Sequence, residues 1–331
     1  MPPLLSLLIA KCAFAGPFTP KTMIGPWPER QVDQTLVLPK GWLQLAVTGD
    51  HKVATRTRDR GGVSRDMEPG VSFRYARTWL RVDQGFSRRV RLYAHAPLVR
   101  AALVRDGETA VATTALGDVR GGFVVQPWLD ARVLGAVQVE LKAPTGVEWP
   151  GGVTGGAGNT SSFLTGTGTT DLNVTAHGQL GLGSIGRLRG QAGYDARLPG
   201  IVGYVVEVDG MANGWLNPGD VWRVRLEGTA QVGSDVAVTA GGTARFVGWY
   251  RSGTSGPSVW RAELYDIPAS YGNFFDVDGR VSFEPVPHFE VAAVAGYQLR
   301  GGYTGVFSHL GLDDYSPLPG VTVGLDLVTR W

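Results

Sequence analysis

Along most of this chain apolar and polar residues alternate with a period of two. Val133, Gly135, Val137, Val139 and Leu141 share one face, and Ala136, Gln138, Glu140 and Lys142 share the other. Successive side chains of a strand point to opposite sides, so such a segment has one oily and one wet surface. The pattern recurs in Leu172–Leu182, where Asn173, Thr175, His177 and Gln179 hold the polar face. Leu188, Ala192 and Tyr194 alternate with Arg187, Arg189, Gln191 and Asp195, and Trp222, Val224 and Leu226 with Arg223, Arg225 and Glu227. Phe289, Val291, Ala293, Ala295, Tyr297 and Leu299 oppose Glu290, Gln298 and Arg300, and the last such run, Val321 to Leu327, leads to Trp331.

Twelve runs follow from this reading: 41–48, 70–83, 89–101, 117–126, 131–142, 171–182, 186–197, 219–232, 236–250, 275–284, 288–300 and 320–331. Most are longer than the roughly 5–6 residues of a typical soluble strand, and they suit the roughly 9–11 residues that a tilted strand needs to cross a bilayer. Short turns near 84–88, 127–130, 183–185, 233–235 and 285–287 alternate with long loops near 49–69, 102–116, 143–170, 198–218, 251–274 and 301–319. Short turns on one side, long loops on the other and an even strand number are the signature of an outer-membrane barrel with both ends on the periplasmic side. In lipid every backbone N–H and C=O must be paired within the protein, which an open sheet cannot achieve. The predicted fold is therefore all-β: a closed antiparallel transmembrane β-barrel of about twelve strands spanning 41–331. A soluble two-sheet sandwich would show the same alternation, but with shorter strands.

Composition sharpens this picture. Hydrophobic residues make up 43% of the 331 and charged residues 18%, with 48 glycines. No internal stretch is apolar for 18 residues, which argues against membrane helices. The 31 basic and 29 acidic residues balance to +2, so there is no basic face for nucleic acid. The single Cys12 excludes an internal disulfide and a cysteine zinc site. Residues 1–15 read as a signal peptide, with an apolar core from Leu4 to Ala10 and a small-x-small end at Ala13-Phe14-Ala15. Lys11 interrupts that core and no basic residue precedes it, so a disordered arm and lipid attachment at Cys12 stay open. Residues 16–40, with five prolines, read as a periplasmic lead-in or plug segment. Trp42, Trp79, Trp128, Trp222, Trp249, Tyr250, Phe289 and Trp331 stand near run ends, as girdle aromatics at the two lipid interfaces would.

The charges opposite the oily stripes are Glu140, Lys142, Arg187, Arg189, Asp195, Arg223, Arg225, Glu227, Arg245, Asp278, Arg280 and Glu284. These are the candidate lumen-lining residues. Neighbouring strands would let Arg187 and Arg189 face Glu227, and Arg223 and Arg225 face Asp195. They read either as a salt-bridge network filling a narrow lumen or as a charged ladder along a water path, and their mixed signs predict no strong ion selectivity. The Gly-rich loop 143–170 reads as a surface loop or as a constriction folded into the lumen.

No catalytic, cofactor or metal residues emerge. Gly181-x-Gly183-x-x-Gly186 matches a dinucleotide fingerprint, with Glu207 about 20 residues on. Residues 187–197 alternate with period two, so the helix that motif requires is missing and a hairpin turn is expected. His51, His95, His177, His288 and His309 have no close histidine partner in sequence. The His-x-Ser-Asn-Gly signature of outer-membrane phospholipase A is absent.

Residues 115–171 carry a family resemblance. Gly117-Asp118 is followed by Lys142-Ala143-Pro144-Thr145-Gly146 and then by Gly166-Thr167-Gly168-Thr169-Thr170-Asp171. This order resembles the outer-membrane family named for the MetA pathway of phenol degradation, and Gly190–Tyr194 resembles the family's next strand. Ala143 departs from the bulkier apolar residue often found there. The resemblance implies an outer-membrane barrel concerned with uptake of hydrophobic or aromatic compounds. Expected partners are membrane lipid and lipopolysaccharide, a small-molecule solute, and the barrel-assembly machinery acting on the strand that ends at Trp331. The alternatives are a structural or surface-binding barrel with a closed lumen and, last, an outer-membrane hydrolase.

Overall fold

The structure, a computed structural model, describes residues 34–58, 64–130, 132–146, 169–198, 200–202, 214–217, 219–248, 251–254, 265–266, 272–300, 316–318 and 320–331. The segment 1–33 and the Gly-rich stretch 147–168 lie outside the described residues, as do Trp249, Tyr250 and His309.

In chain order the strands are β1 (Leu43–Ala54), β2 (Arg56–Arg58), β3 (Ser64–Asp66), β4 (Val71–Ser87), β5 (Val90–Arg105), β6 (Glu108–Leu116), β7 (Val119–Leu129), β8 (Val133–Ala143), β9 (Asp171–Gly181), β10 (Gly186–Arg197), β11 (Gly200–Val202), β12 (Gly214–Asn217), β13 (Val221–Gln231), β14 (Val236–Val247), β15 (Arg251–Thr254), β16 (Tyr265–Asp266), β17 (Gly272–Val286), β18 (Phe289–Arg300), β19 (Ser316–Leu318) and β20 (Val321–Arg330). Twelve of them close a ring in the order β4, β1, β20, β18, β17, β14, β13, β10, β9, β8, β7, β5 and back to β4. Every pairing is antiparallel. Closure is made by β1 on β20, from Gln44↔Arg330 to Lys52↔Thr322. The chain is thus a closed twelve-stranded antiparallel barrel.

The alternation determines which way each strand faces. Leu80 and Val82 on β4, Leu141 on β8, Leu188 on β10, Leu226 on β13, Val281 on β17 and Val323 on β20 are exposed on the outside. A surface this apolar is the opposite of a soluble fold and fits a hydrocarbon environment. Trp128 and Trp222 stand exposed at strand ends on this outer face, where girdle aromatics belong. Trp42 and Trp79 do not. Trp42 is buried, with its ring edge-on to His288 at the barrel mouth. Trp79 shares the inner face with Arg77 and Arg81, because period two places 77, 79 and 81 together.

Several expected loops are strand instead. β5 runs on to Arg105, turns at Asp106-Gly107 and returns as β6, so 102–116 is a hairpin. Both turn residues have positive φ, 51° and 86°, which is the twist a two-residue hairpin requires. β6 pairs with the upper half of β5 and β7 with the lower half, the break falling at Gly117-Asp118. β1 extends to Ala54, and β2, β3 and β19 form a small three-stranded sheet beyond the ring. β11, β12, β15 and β16 form a second such sheet. Long polar loops gain order by pairing with one another where the wall ends.

The Gly181–Gly186 stretch is a turn, as the alternation implies. A single 3-10 turn, Gly183–Ile185, joins β9 to β10, with Leu182 N–H bonded to the Gly186 carbonyl at 2.8 Å.

Candidate solute path through the barrel

All twelve candidate charged residues lie on the face opposite the exposed apolar rows. Most meet their counter-charges across strands. Arg223 Nη2 bonds Asp195 Oδ2 at 2.7 Å, and Arg189 Nη1 lies 3.6 Å from Glu227 Oε1. Arg225 turns away from Asp195. Its guanidinium grips Asp278 two-pronged, at 2.6 and 2.7 Å, and also reaches Glu227 at 3.0 Å. Arg245 pairs with Asp276, while Arg280 bridges Asp326 and Glu290. Arg187 faces the chain itself, its Nη1 lying 3.5 Å from the carbonyl oxygen of Gln34. Glu284 accepts the backbone N–H of His288 and so belongs to the turn.

The inner face holds more charges than the sequence reading found. On β4 and β5 it carries Arg77, Arg81, Asp83, Arg91, Tyr93 and His95. Arg81 forms a two-pronged pair with fully buried Asp83, at 2.8 and 2.9 Å, which Arg91 approaches at 3.4 Å. Arg77 pairs with Asp50 of β1 at 2.7 Å and lies against the Tyr75 and Trp79 rings, 5.4 and 5.7 Å from their centroids. Tyr93 donates to Glu140 at 2.9 Å, and Arg120 meets the other oxygen of that carboxylate at 3.1 Å. Arg330 of β20 holds Glu290 at 2.8 Å. The signal for these residues was present: period two from Tyr75 to Asp83 places an aromatic or a charge at every second position. It was masked because Arg74, Thr78 and Gln84 on the outer face are polar too.

The residues carried by the family resemblance converge at the top of β7, β8 and β9. Lys142 Nζ lies 2.5 Å from Asp171 and 3.5 Å from Asp118, and contacts the Thr169 hydroxyl at 3.4 Å. Thr145 accepts the Val119 N–H at 2.9 Å and donates to the Gly117 carbonyl at 2.8 Å. The Gly146 N–H donates to Asp118 at 3.1 Å. Pro144 stands just past the last residue of β8, where it ends pairing. The motif therefore seals the break between β6 and β7 and anchors both ends of the 147–168 stretch. Gly166 and Gly168 lie outside the described residues.

Residues 34–39 occupy the inside of the barrel at its short-turn end. Leu36 and Val37 pack on Tyr93, Val124, Leu134 and Ala136 in one buried apolar cluster. The Leu36 N–H donates to Gln126 Oε1 at 3.2 Å, and Gln179 Nε2 donates to the Gln34 carbonyl at 3.2 Å. Pro39 crosses Gly85 so closely that a Cβ there would lie 1.8 Å from its carbonyl oxygen. Beside this segment is a cavity of about 640 Å³, lined by Arg81, Arg91, His177, Arg187, Arg189, Arg225, Asp278, Arg280 and Arg330 among others.

No family model matches the sequence, and no curated protein does. Among solved structures, the barrel is similar to the COG4313 outer membrane channel from Pseudomonas putida F1. The TM-score is 0.66 at 14% identity, over 89% of this chain and 97% of that one. Looser matches are the NanC porin (TM-score 0.47, 10% identity, 86% and 98% covered) and the toluene transporter TbuX of Ralstonia pickettii (0.44, 8%, 89% and 90%). The first likeness establishes a common fold; the other two are too distant to extend it.

Proposed function

We propose that this chain is an outer-membrane channel for small solutes, hydrophobic or aromatic ones among them, whose mouth on the short-turn side is occupied by its own residues 34–39. The observation that carries the reading is a ring with an apolar exterior enclosing a charged, partly open interior. Lipid and lipopolysaccharide surround the belt, and the strand ending at Trp331 is the handle for the barrel-assembly machinery. The barrel does no covalent chemistry; it sorts solutes by size and charge. The shared fold with an outer membrane channel supports this reading. So does the resemblance of Gly117-Asp118, Lys142–Gly146 and Asp171 to the family named for phenol degradation, which favours aromatic solutes.

One observation favours a closed, structural barrel instead: most inner charges are satisfied by neighbours, and Leu36 and Val37 are buried. Planar-bilayer recording separates the two. The intact chain is expected to show small or rare conductance steps, and a variant lacking residues 34–39 large and frequent ones. A deletion variant that refolds, shifts on unboiled gels and still conducts nothing would establish the closed barrel.

A further inference from the structure

Two arginines stand on the oily side of the wall. Period two puts Arg74 of β4 and Arg100 of β5 on the face that carries Leu80, Val82 and Leu98, and both are exposed. The register brings them together. His51, Ala76 and Arg100 form one row across β1, β4 and β5, and Arg74 stands one row nearer the long loops, between Val53 and Ala102. Arg74 is therefore the diagonal neighbour of both His51 and Arg100, at roughly 7–8 Å, which long side chains span. Ala76, in the middle, is too small to separate them.

No carboxylate shares this patch among the described residues. The outward positions around it are Val53, Ser72, Thr78, Leu98 and Ala102, with Thr114 of β6 opposite Arg100. Neither arginine makes an ion pair or a hydrogen bond among the described residues, and nor does His51. In the lumen, by contrast, Arg77, Arg81 and Arg225 each lie against a carboxylate. Like charges on adjacent strands cost stability unless an anion offsets them. The level of the patch is informative too. Arg100 comes ten residues after Val90, where β5 leaves the short turn, and a tilted strand uses roughly 9–11 residues to cross a bilayer. Leu98 and Leu116, paired one row below, are 52% and 46% exposed, and above them come Arg100, Thr114 and Arg74. The arginines thus stand where hydrocarbon gives way to headgroups on the long-loop side, which is the cell exterior in such barrels. Their stems can lie along the oily wall while the guanidiniums reach outward.

We propose that Arg74 and Arg100, with His51 beside them, form a binding site for a phosphate of the lipid anchor of lipopolysaccharide, whose acyl chains run down the wall over Leu98, Leu80 and Val82. Planar guanidinium forks match phosphate oxygens two-pronged. Two arginines and a histidine suit a phosphomonoester, which carries close to two charges at neutral pH and which that anchor displays; a phospholipid diester carries one. The bound phosphate offsets the repulsion between the two guanidiniums. This rests on the outer-membrane placement of the barrel and not on whether its lumen conducts.

The test is retention of radiolabelled lipid A by the intact, detergent-solubilised chain captured on beads, with dephosphorylated lipid A and phosphatidylglycerol as competitors. Wild type is expected to retain lipid A saturably. Arg74→Gln/Arg100→Gln should weaken retention at least about tenfold, the scale of one lost charge-assisted contact. Arg88→Gln/Arg89→Gln, at two exposed arginines in the short turn on the opposite rim, should retain lipid A as wild type does. Mobility on unboiled gels shows that both variants are folded. Undiminished retention by the Arg74/Arg100 variant, or an equal loss in both variants, overturns the site. Dephosphorylated lipid A competing as well as lipid A overturns the phosphate contact, and phosphatidylglycerol competing as well overturns the lipopolysaccharide assignment. Conductance enters none of these outcomes, so the lipid site and the channel stand or fall separately.

Discussion

Lys142 Nζ sits 2.5 Å from Asp171 Oδ2, and all but a few per cent of both side chains is shielded from solvent. Asp118 is buried on the other side of the same ammonium. One cation thus lies between two carboxylates, with Arg197 Nε a further 3.8 Å neighbour of Asp171, at the point where the strand formed by β6 and β7 is broken. Removing it strips both buried carboxylates of the ammonium they share. Lys142→Met is expected to destabilise the barrel by about 3–5 kcal/mol, the usual cost of breaking a buried pair from one side. Urea unfolding followed on unboiled gels checks this. Adding Asp118→Asn and Asp171→Asn should recover most of the loss; no recovery would show that the effect is packing, not charge.

The N-terminal segment is held by contacts that single substitutions can reach. Leu36→Asp would place a carboxylate against Val124, Leu134 and Ala136, and Gly85→Ala would put a methyl group where the Pro39 carbonyl runs. Either change should expel the segment while leaving the wall intact. The expected readout is an increase in single-channel open probability with unchanged gel mobility. A Leu36→Asp protein that conducts no more than wild type would mean that this segment does not limit the path.

Much of this arrangement was legible in the alternation alone. Residues 133–142, 171–182 and 186–197 lie in strands close to where period two put them, because one face meets lipid and the other does not. The contact of Arg189 with Glu227 followed from adjacency. A plug was one of the two readings of residues 16–40, but the contacts that hold residues 34–39 were not readable. Leu36 meets Gln126 ninety residues away through a single backbone N–H, and five prolines in the lead-in leave no periodic trace of such a contact. Nor was β6. Glu108–Leu116 is rich in Thr and Ala, and the Asp106-Gly107 hairpin signal stood in a stretch read as loop. The Lys142 cluster came from the resemblance, since three short motifs scattered over more than fifty residues carry no sequence evidence that they meet.

The outer and inner faces predict opposite outcomes for neighbouring positions. Leu226 is 68% exposed on the outer wall in the middle of β13. Leu226→Arg is expected to cost about 2–4 kcal/mol, the range for a cation near the bilayer midplane. Arg225→Leu, one residue along, should disturb the Asp278 and Glu227 pairs and alter conductance. Refolding into liposomes at graded urea measures both; equal costs for the two would contradict the assigned faces.

The hairpin between β5 and β6 offers a cleaner stability probe. Gly107 has φ +86° and nothing near its Cα hydrogens, so only backbone strain opposes a side chain there. Gly107→Ala should cost about 1–2 kcal/mol, the usual left-handed penalty. Conductance should not change. A neutral result in urea titration would mean that the hairpin contributes nothing to the cooperative unit.

The pairing of β1 with β20 is also the longest chain closure in the ring. The second strand of the ring, β4, finds β1 after a short stretch of chain, but the other flank of β1 must wait more than 260 residues for its partner. Until they pair, the sheet has two raw margins, each a row of unsatisfied amides able to template a stranger's strand. The wall therefore has no free margin only once Val321–Arg330 has paired with Leu43–Ala54, so a lesion in either of these two strands exposes both.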